Sequence, residues 1–180
     1  MKEIPRKLVH ISGLVYIPAY EAFGRETMVI SVVCITAFAI ILDVLRRRYR
    51  ILPDILLRDY ERDGVGAFVY FGVAMSVATV LFPKESCYVA IICGSLGDCV
   101  AGIAKHHFGL NENVASLLMF LSCIPMLRAM GLLDGRSVIA TFAGVAVERV
   151  EKVGRIYIND NLSVPLVTAF IHRLSETVLF

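Results

Sequence analysis

Charged residues are scarce in this sequence. Asp, Glu, Lys and Arg make up 19% of its 180 residues, against roughly 25% in soluble domains. Hydrophobic residues make up 57%, above the usual ~45–50%, and the mean hydropathy is +0.71. The apolar residues lie in blocks, and a helix needs roughly 17–25 of them to cross a bilayer with its backbone groups bonded internally. The composition argues against a soluble domain and predicts an all-α integral membrane protein.

Cysteine pairs and basic patches are also missing. The five cysteines show no CxxC or metal-type spacing and lie in or beside apolar blocks, so we interpret them as small buried hydrophobes. The net charge is +2, and no compact basic and aromatic patch suggests nucleic acid as a partner. The basic N-terminus is not followed by an A-x-A-like cleavage site, so we expect the first apolar run to be a retained helix rather than a signal peptide.

Seven apolar segments are candidates for transmembrane helices: 8–23, 27–45, 65–82, 86–104, 114–130, 136–150 and 157–179. The connections between them are short, and no repeat or soluble domain interrupts them. We therefore predict one polytopic membrane domain over 1–180, a bundle of about seven helices. The stretch 46–64 is long and arginine-rich enough to form an amphipathic helix on an anionic lipid surface.

The basic residues are distributed unevenly between the two sides of this bundle. If the N-terminus is cytoplasmic, most of the 18 Lys and Arg residues lie on the cytoplasmic side; the exceptions are Arg25, Lys84, Arg128, Arg136 and Arg173. The positive-inside rule then places the N-terminus in the cytoplasm and the C-terminus outside. We expect a multi-pass protein of the cell membrane.

Ionisable residues of five of the seven segments fall at the cytoplasmic level: Arg6, Lys7, His10, Asp43, Asp98, Lys105, Glu148 and Asp160. A charge at the bilayer centre costs about 2.5–3.5 kcal/mol on insertion scales, so such residues usually serve a function. The cost is lower near the interface, and a single charge there means little. Their convergence on one level predicts an active site at the cytoplasmic face.

The fourth segment has the most distinctive local pattern. Gly94, Asp98 and Gly102 recur every fourth residue and so share one helix face, where small neighbours let a ligand or a helix approach the carboxylate. Lys105 lies about 10 Å further along nearly the same face. A carboxylate suits Mg²⁺ that shares phosphate oxygens, and the lysine suits a terminal phosphate. The alternative is a packing seam in which Asp98 is structurally paired.

The other polar residues also allow structural interpretations. Glu148 can pair with Lys152 four residues on, and Asp43 can pair with Arg46 and Arg47. Arg6, His10 and Gly13 share one helix face, where Arg6 can simply anchor the helix at the membrane surface and His10 can be a hydrogen-bonded structural histidine. We expect His106 and His107 to lie in a loop at the membrane interface.

The start of the last segment, DNLSVP at 160–165, predicts a helix N-terminus. Asn161 is expected as its N-cap, and Pro165 is tolerable in the first turn. A helix N-terminus that points at the site would also bind phosphate.

Several short stretches occur in order along the chain: EIPRKLVHISG at 3–13, LGDCVA at 96–101, HFG at 107–109, Glu148 at a helix end, and DNLSVP at 160–165. Together they resemble the RK-x-x-H-x-x-G, GD-x-x-A…FG, helix-ending glutamate and DNLTVP motifs of the dolichol kinase, phytol kinase and CTP-dependent diacylglycerol kinase family. The sequence departs from that family at 110–116, where LNENVAS stands in place of a loop ending in KS-x-EGS.

The resemblance implies a membrane lipid-alcohol kinase that uses CTP, or another nucleoside triphosphate, with Mg²⁺. Carried over by position, it assigns Asp98 and Asp160 to the metal, and Asp98, Asp160, Lys105 and His10 to catalysis. It assigns nucleotide and phosphate contacts to Arg6, Lys7, Gly97, Asn161 and Glu148. The substrate would be a polyprenol, phytol-like or diacylglycerol-like alcohol from the bilayer, and a homodimer stays open.

Three alternatives remain at this point. A CTP-dependent cytidylyltransferase that makes a CDP-lipid needs much the same residues. The altered segment 110–116 is also compatible with an inactive member of the family. A small transporter could use the polar cluster as an ion path, although the third and fifth segments add little beyond Arg128 on the outer side.

Overall fold

The computed structural model describes residues 3–49, 64–150, 152–153 and 156–178. These described residues are helical almost throughout: α1 (Glu3–Ser12), a 3₁₀ turn (Gly13–Val15), α2 (Tyr16–Tyr49), α3 (Ala67–Leu81), α4 (Lys84–Ile91), a π-helical turn (Ile92–Gly97), α5 (Asp98–His106), α6 (Glu112–Ala129), α7 (Gly135–Glu148) and α8 (Asp160–Val178). Between α7 and α8, β1 (Lys152–Val153) pairs antiparallel with β2 (Ile156–Tyr157), with Lys152 opposite Tyr157. The all-α class is confirmed.

Each of the seven apolar segments contains a helix, but the helices are not all of membrane-spanning length. Within the part of the chain that the structure describes, three helical stretches are long and apolar enough to cross a bilayer: Lys7–Tyr49, Lys84–His106 and Glu112–Ala129. The apolar helix Ala67–Leu81 is shorter; at 1.5 Å per residue it covers about 22 Å of a hydrocarbon core of about 30 Å. The seven crossings and the cytoplasmic N-terminus therefore stay predictions.

The first two predicted segments form one helical run from α1 through α2. Gly24 interrupts it with φ 74° and ψ 174°, a backbone conformation that glycine tolerates and other residues rarely adopt. Beyond this break, α2 exposes large apolar side chains such as Ile30, Ile35 and Phe38. Such a row of exposed apolar side chains is typical of a face that contacts a membrane or another protein.

The buried centre of the bundle is the α4–π–α5 rod. Its side chains from Ser86 to Ser95 are all buried, and Cys87, Val89 and Cys93 have no exposed surface. The π-helical turn brings glycines to the neighbouring helices. A Cβ at Gly94 would lie 2.8 Å from Pro165 Cγ on α8. Small residues on this rod therefore allow the close approach that membrane helices use for packing.

A buried ion pair joins the end of α2 to the start of α3. Asp43 Oδ1 accepts hydrogen bonds from Arg46 Nη2 at 2.7 Å and from the Gly66 backbone N–H at 3.0 Å. Arg47 also pairs with Asp43, at 3.1 Å. The expected pairing of Asp43 with both arginines is confirmed. Most of the predicted amphipathic stretch 46–64 lies outside the described residues.

The N-cap of α7 generates a stability prediction. Asp134 Oδ1 accepts from the Ser137 N–H at 2.8 Å, and Arg136 Nε donates to Oδ2 at 2.7 Å. Burial alone would raise the pKa of Asp134, but these hydrogen bonds hold it below its ordinary value. Asp134→Ala should cost about 1 kcal/mol of unfolding free energy at pH 7. Thermal unfolding in detergent measures this loss.

The pH dependence has a definite sign. Because the folded pKa of Asp134 is depressed, its charge stabilises the fold above the unfolded pKa of about 3.9, and that part is lost as the pH falls through the folded value. The gap between wild type and Asp134→Ala should narrow in acid. Asp134→Asn, which keeps an acceptor for the Ser137 N–H, is the control. A gap that does not change with pH would contradict the ionic contribution.

Candidate functional site

The central feature of the site is a buried ion pair between α1 and α5. Lys7 is 1% exposed, and its Nζ lies 2.6 Å from Asp98 Oδ2 and 2.9 Å from the Asp98 backbone oxygen. These residues are 91 positions apart in sequence. The predicted phosphate-binding lysine thus lies against the predicted metal-binding carboxylate, and the pairing itself matches the structural alternative for Asp98.

His10 joins the same cluster. It lies three residues after Lys7, which places both on one face of α1. Its Nδ1 is 3.6 Å from Asp98 Oδ2, and its ring packs edge-on against Phe71 at 5.5 Å between centroids. Three of the residues predicted for the site, Lys7, His10 and Asp98, are therefore gathered in one buried cluster.

Glycines make this close approach of α1 possible. A Cβ at Gly102 would lie 2.1 Å from Lys7 Cε, and one at Gly13 would lie 2.6 Å from Ser95 Oγ. The lysine side chain therefore lies directly across Gly102 on its way to Asp98. The Gly94, Asp98 and Gly102 face is consequently filled by protein, with α8 at Gly94 and α1 at Gly102.

Lys105 makes a separate ion pair. Its Nζ lies 2.7 Å from Glu148 Oε1, with side-chain exposures of 23% for the lysine and 7% for the glutamate. The structural alternative for Glu148, an ion pair, is present with Lys105 in place of Lys152, because α7 ends at Glu148 and Lys152 lies in β1. Lys105 and Glu148 tie α5 to α7, and a phosphate that bound Lys105 would compete with this glutamate.

The start of α8 is capped differently from the prediction. The helix begins at Asp160, and Asn159 is the cap: its backbone oxygen accepts from Leu162 and Ser163. Asn161 lies inside the first turn, and its backbone N–H donates to Asn159 Oδ1 at 3.0 Å and to Asp160 Oδ1 at 2.8 Å. Side chains of the segment itself therefore already satisfy part of the predicted phosphate-binding N-terminus.

The cluster and the α8 N-terminus lie at the same level. Ser86 Oγ contacts His172 Nδ1 at 2.9 Å, and the backbone at Gly94 approaches Pro165 closely, so the α4–π–α5 rod and α8 run antiparallel. Asp98 lies four residues after Gly94 on the rod, and Asn161 lies four residues before Pro165 on α8. Because the two helices are antiparallel, both residues lie about 6 Å from the Gly94–Pro165 contact in the same direction.

One predicted nucleotide contact, Gly97, is not brought into this cluster. A Cβ at Gly97 would lie 3.1 Å from Cys123 Sγ and from Met119 Cγ, so this glycine faces α6. The side chain of Arg6 lies outside the described residues. Phe71 and Ser95 were not predicted as neighbours of the site, because both lie within apolar segments and outside the motifs.

The residues present do not form a preformed magnesium cage. Within the described ranges, no group of three or more His, Cys, Asp or Glu side chains could hold a metal. Asp98 Oδ2 faces the Lys7 ammonium, which competes with a cation for the same oxygen. Asp160, which is partly exposed, is the more accessible of the two predicted ligands.

The segment 110–116 also has a structural role. Asn111 is the N-cap of α6, and its Oδ1 accepts from the Val114 N–H at 2.9 Å. The stretch that replaces the family's KS-x-EGS loop therefore forms the beginning of a helix.

Comparison with known proteins adds one relative. The chain is 24% identical over 185 residues to the uncharacterized protein RP860 of Rickettsia prowazekii (strain Madrid E), covering 91% of this chain and 90% of that protein. No protein-family model matches the chain. No solved structure matches it either.

The buried pair generates a prediction on Asp98. Asp98→Asn would leave the Lys7 ammonium buried without its counter-charge, which should cost about 3–5 kcal/mol. The double variant Lys7→Met with Asp98→Asn should recover most of this loss because no charge is then stranded. Thermal unfolding in detergent with a thiol-reactive dye measures both, since four of the five cysteines are buried.

The matched control for this experiment is the exposed pair of Lys84 and Glu21, with side-chain exposures of 40% and 54%. Glu21→Gln should change the stability by at most about 1 kcal/mol. An Asp98→Asn variant as stable as wild type, or no recovery in the double variant, would show that Lys7 and Asp98 are not energetically coupled.

Gly102 generates a second prediction. Alanine usually stabilises a helix by about 1 kcal/mol over glycine, but here its Cβ would displace Lys7 from Asp98. Gly102→Ala should therefore destabilise the fold, by about 1–3 kcal/mol as for other overpacked sites. Gly135→Ala, where nothing lies within 4 Å of the added Cβ, should be neutral or stabilising. Equal effects of the two substitutions in the same assay would disprove the close contact.

Proposed function

We propose that the protein is a membrane lipid-alcohol kinase. It would transfer a phosphoryl group from CTP, or another nucleoside triphosphate, to the hydroxyl of a polyprenol, phytol-like or diacylglycerol-like alcohol. The supporting observation is the buried cluster of Lys7, His10 and Asp98. It joins the two stretches that resemble the family's first and second motifs, although these are far apart in sequence.

The charges around the cluster suit a polyphosphate. Lys7 and Lys105 are each held by a carboxylate, Asp98 and Glu148 respectively. A nucleotide's phosphates would take over part of these interactions, so the lysines can neutralise charge as it moves during transfer. Phosphoryl transfer depends mainly on such positioning and charge stabilisation. Magnesium would enter with the nucleotide as part of the substrate.

The reaction requires one proton acceptor. The lipid hydroxyl oxygen attacks the γ-phosphorus, the bond from that phosphorus to the bridging oxygen breaks, and the nucleoside diphosphate leaves with the electron pair. We assign the hydroxyl proton to Asp160, which is partly exposed at the level of Asp98. His10 would help to hold the Asp98 carboxylate in place.

The activity is tested with purified protein, labelled CTP or ATP, Mg²⁺ and a panel of lipid alcohols. The proposal expects a lipid monophosphate and a nucleoside diphosphate. A CDP-lipid and pyrophosphate, formed when a lipid phosphate is supplied, would instead identify a cytidylyltransferase. Absence of turnover with every nucleotide and alcohol, in protein that is folded by its unfolding curve, would refute the kinase proposal.

Asp160 provides the mutational prediction. Asp160→Asn keeps the oxygen that accepts from Asn161 but removes the base, so kcat should fall by about 10²-fold or more with the unfolding curve unchanged. Glu85→Gln is the matched control, because Glu85 is likewise an acid in the first turn of a helix and lies exposed at the far end of the α4–π–α5 rod. An active Asp160→Asn variant would remove this residue from the mechanism.

A further inference from the structure

A cleft lies between α6 and α7, apart from the buried cluster. It encloses about 510 Å³, which is within the usual size of small-molecule sites. Most of its lining is apolar and includes two aromatic rings; the lining residues used below are Ser116, Leu117, Phe120, Phe142, Ala146 and Arg149.

One end of the cleft is cationic. Arg149 Nε donates to Ser116 Oγ at 2.9 Å, and Nη2 donates to the Glu112 backbone oxygen at 3.3 Å. Both partners are uncharged, and no carboxylate pairs with Arg149 among the residues that the structure describes. A guanidinium carries five N–H donors, so several remain for an anion. Its fork geometry suits phosphate oxygens in particular.

The apolar part extends from this cationic end along the helices. Phe142 lies seven residues before Arg149 on α7, which is about 10 Å along the helix axis. Leu117 and Phe142 are 55% and 66% exposed, so the cleft is open on its outer side. In a bilayer this side would face the lipid hydrocarbon, with Arg149 near the headgroups.

We propose that this cleft binds an anionic lipid, with its phosphate on Arg149 and a hydrocarbon chain between α6 and α7. Charge complementarity selects this occupant. A neutral lipid would leave the guanidinium without a counter-charge, and a soluble phosphate would leave the apolar length empty. Basic pockets between transmembrane helices recognise lipid headgroups in this way. The site is distinct from the Lys7 cluster and does not depend on the proposed kinase reaction.

The test measures lipid retained by the full chain. Protein in nanodiscs of phosphatidylcholine containing some phosphatidic acid is extracted into detergent, and the bound lipid is quantified by mass spectrometry. Phosphatidic acid should be retained in preference to phosphatidylcholine. Arg149→Gln should weaken its binding about tenfold or more, the usual effect of losing hydrogen bonds to a charged group. Arg149→Lys should retain part of the binding.

Two further variants separate the head from the chain. Ala146→Trp places a large side chain in the cleft at an exposed position and should also weaken lipid binding. If Arg149→Gln fails to fold, this variant tests whether the lipid binds in the cleft. Arg128→Gln is the control, because Arg128 is an exposed arginine in the last turn of α6, at the opposite end from Arg149; it should leave retention unchanged.

Four results would overturn the proposal. The first three are equal retention of the two lipids by wild type, equal losses in Arg149→Gln and Arg128→Gln, and full retention in Ala146→Trp. Displacement of the lipid by excess glycerol phosphate would also overturn it, because a soluble phosphate would then bind without the hydrocarbon chain. Failure of the kinase assay bears on none of these outcomes.

Discussion

The buried contact between Lys7 and Asp98 is the constraint on which the arrangement of the helices depends. Neither charge can be left alone in a low-dielectric interior, so α1 must lie against the start of α5. That position requires the absence of a side chain at Gly102, over which the lysine passes. It also brings His10 and Phe71 together at the same place. The geometry of the candidate site therefore follows from one ion pair.

The same principle applies at two other places in the bundle. Asp43 is neutralised by Arg46 where α2 leads to α3, and Glu148 is neutralised by Lys105 between α5 and α7. In each pair the arginine or lysine neutralises a carboxylate that lies within or near apolar surroundings. In the proposed reaction the internal carboxylates hold the lysines until phosphate arrives. The pair between Lys7 and Asp98 also makes Asp98 a poor ligand for a permanently bound magnesium ion, because the Lys7 ammonium already contacts Asp98 Oδ2.

The sequence predictions succeeded where local rules apply and failed where neighbours in space decide. The helices within the seven apolar segments and the Asp43 pair depend on hydropathy and short-range spacing. The expected Glu148 and Lys152 pair assumed that α7 continues, whereas it ends at Glu148. Asn161 was expected to be the cap of α8, because asparagine is a good N-cap, but the structure places the cap at Asn159, two residues earlier.

The sequence by itself determined the helical class and the positions of the apolar segments. These features depend on the composition and the hydrophobic periodicity of each segment, which can be read from that segment alone. Only the tertiary structure decided that Lys7 pairs with Asp98, and that Lys105 pairs with Glu148. Such pairings join residues tens of positions apart and depend on which helices become neighbours. The same holds for the cleft below Arg149, which exists only because α6 and α7 pack side by side.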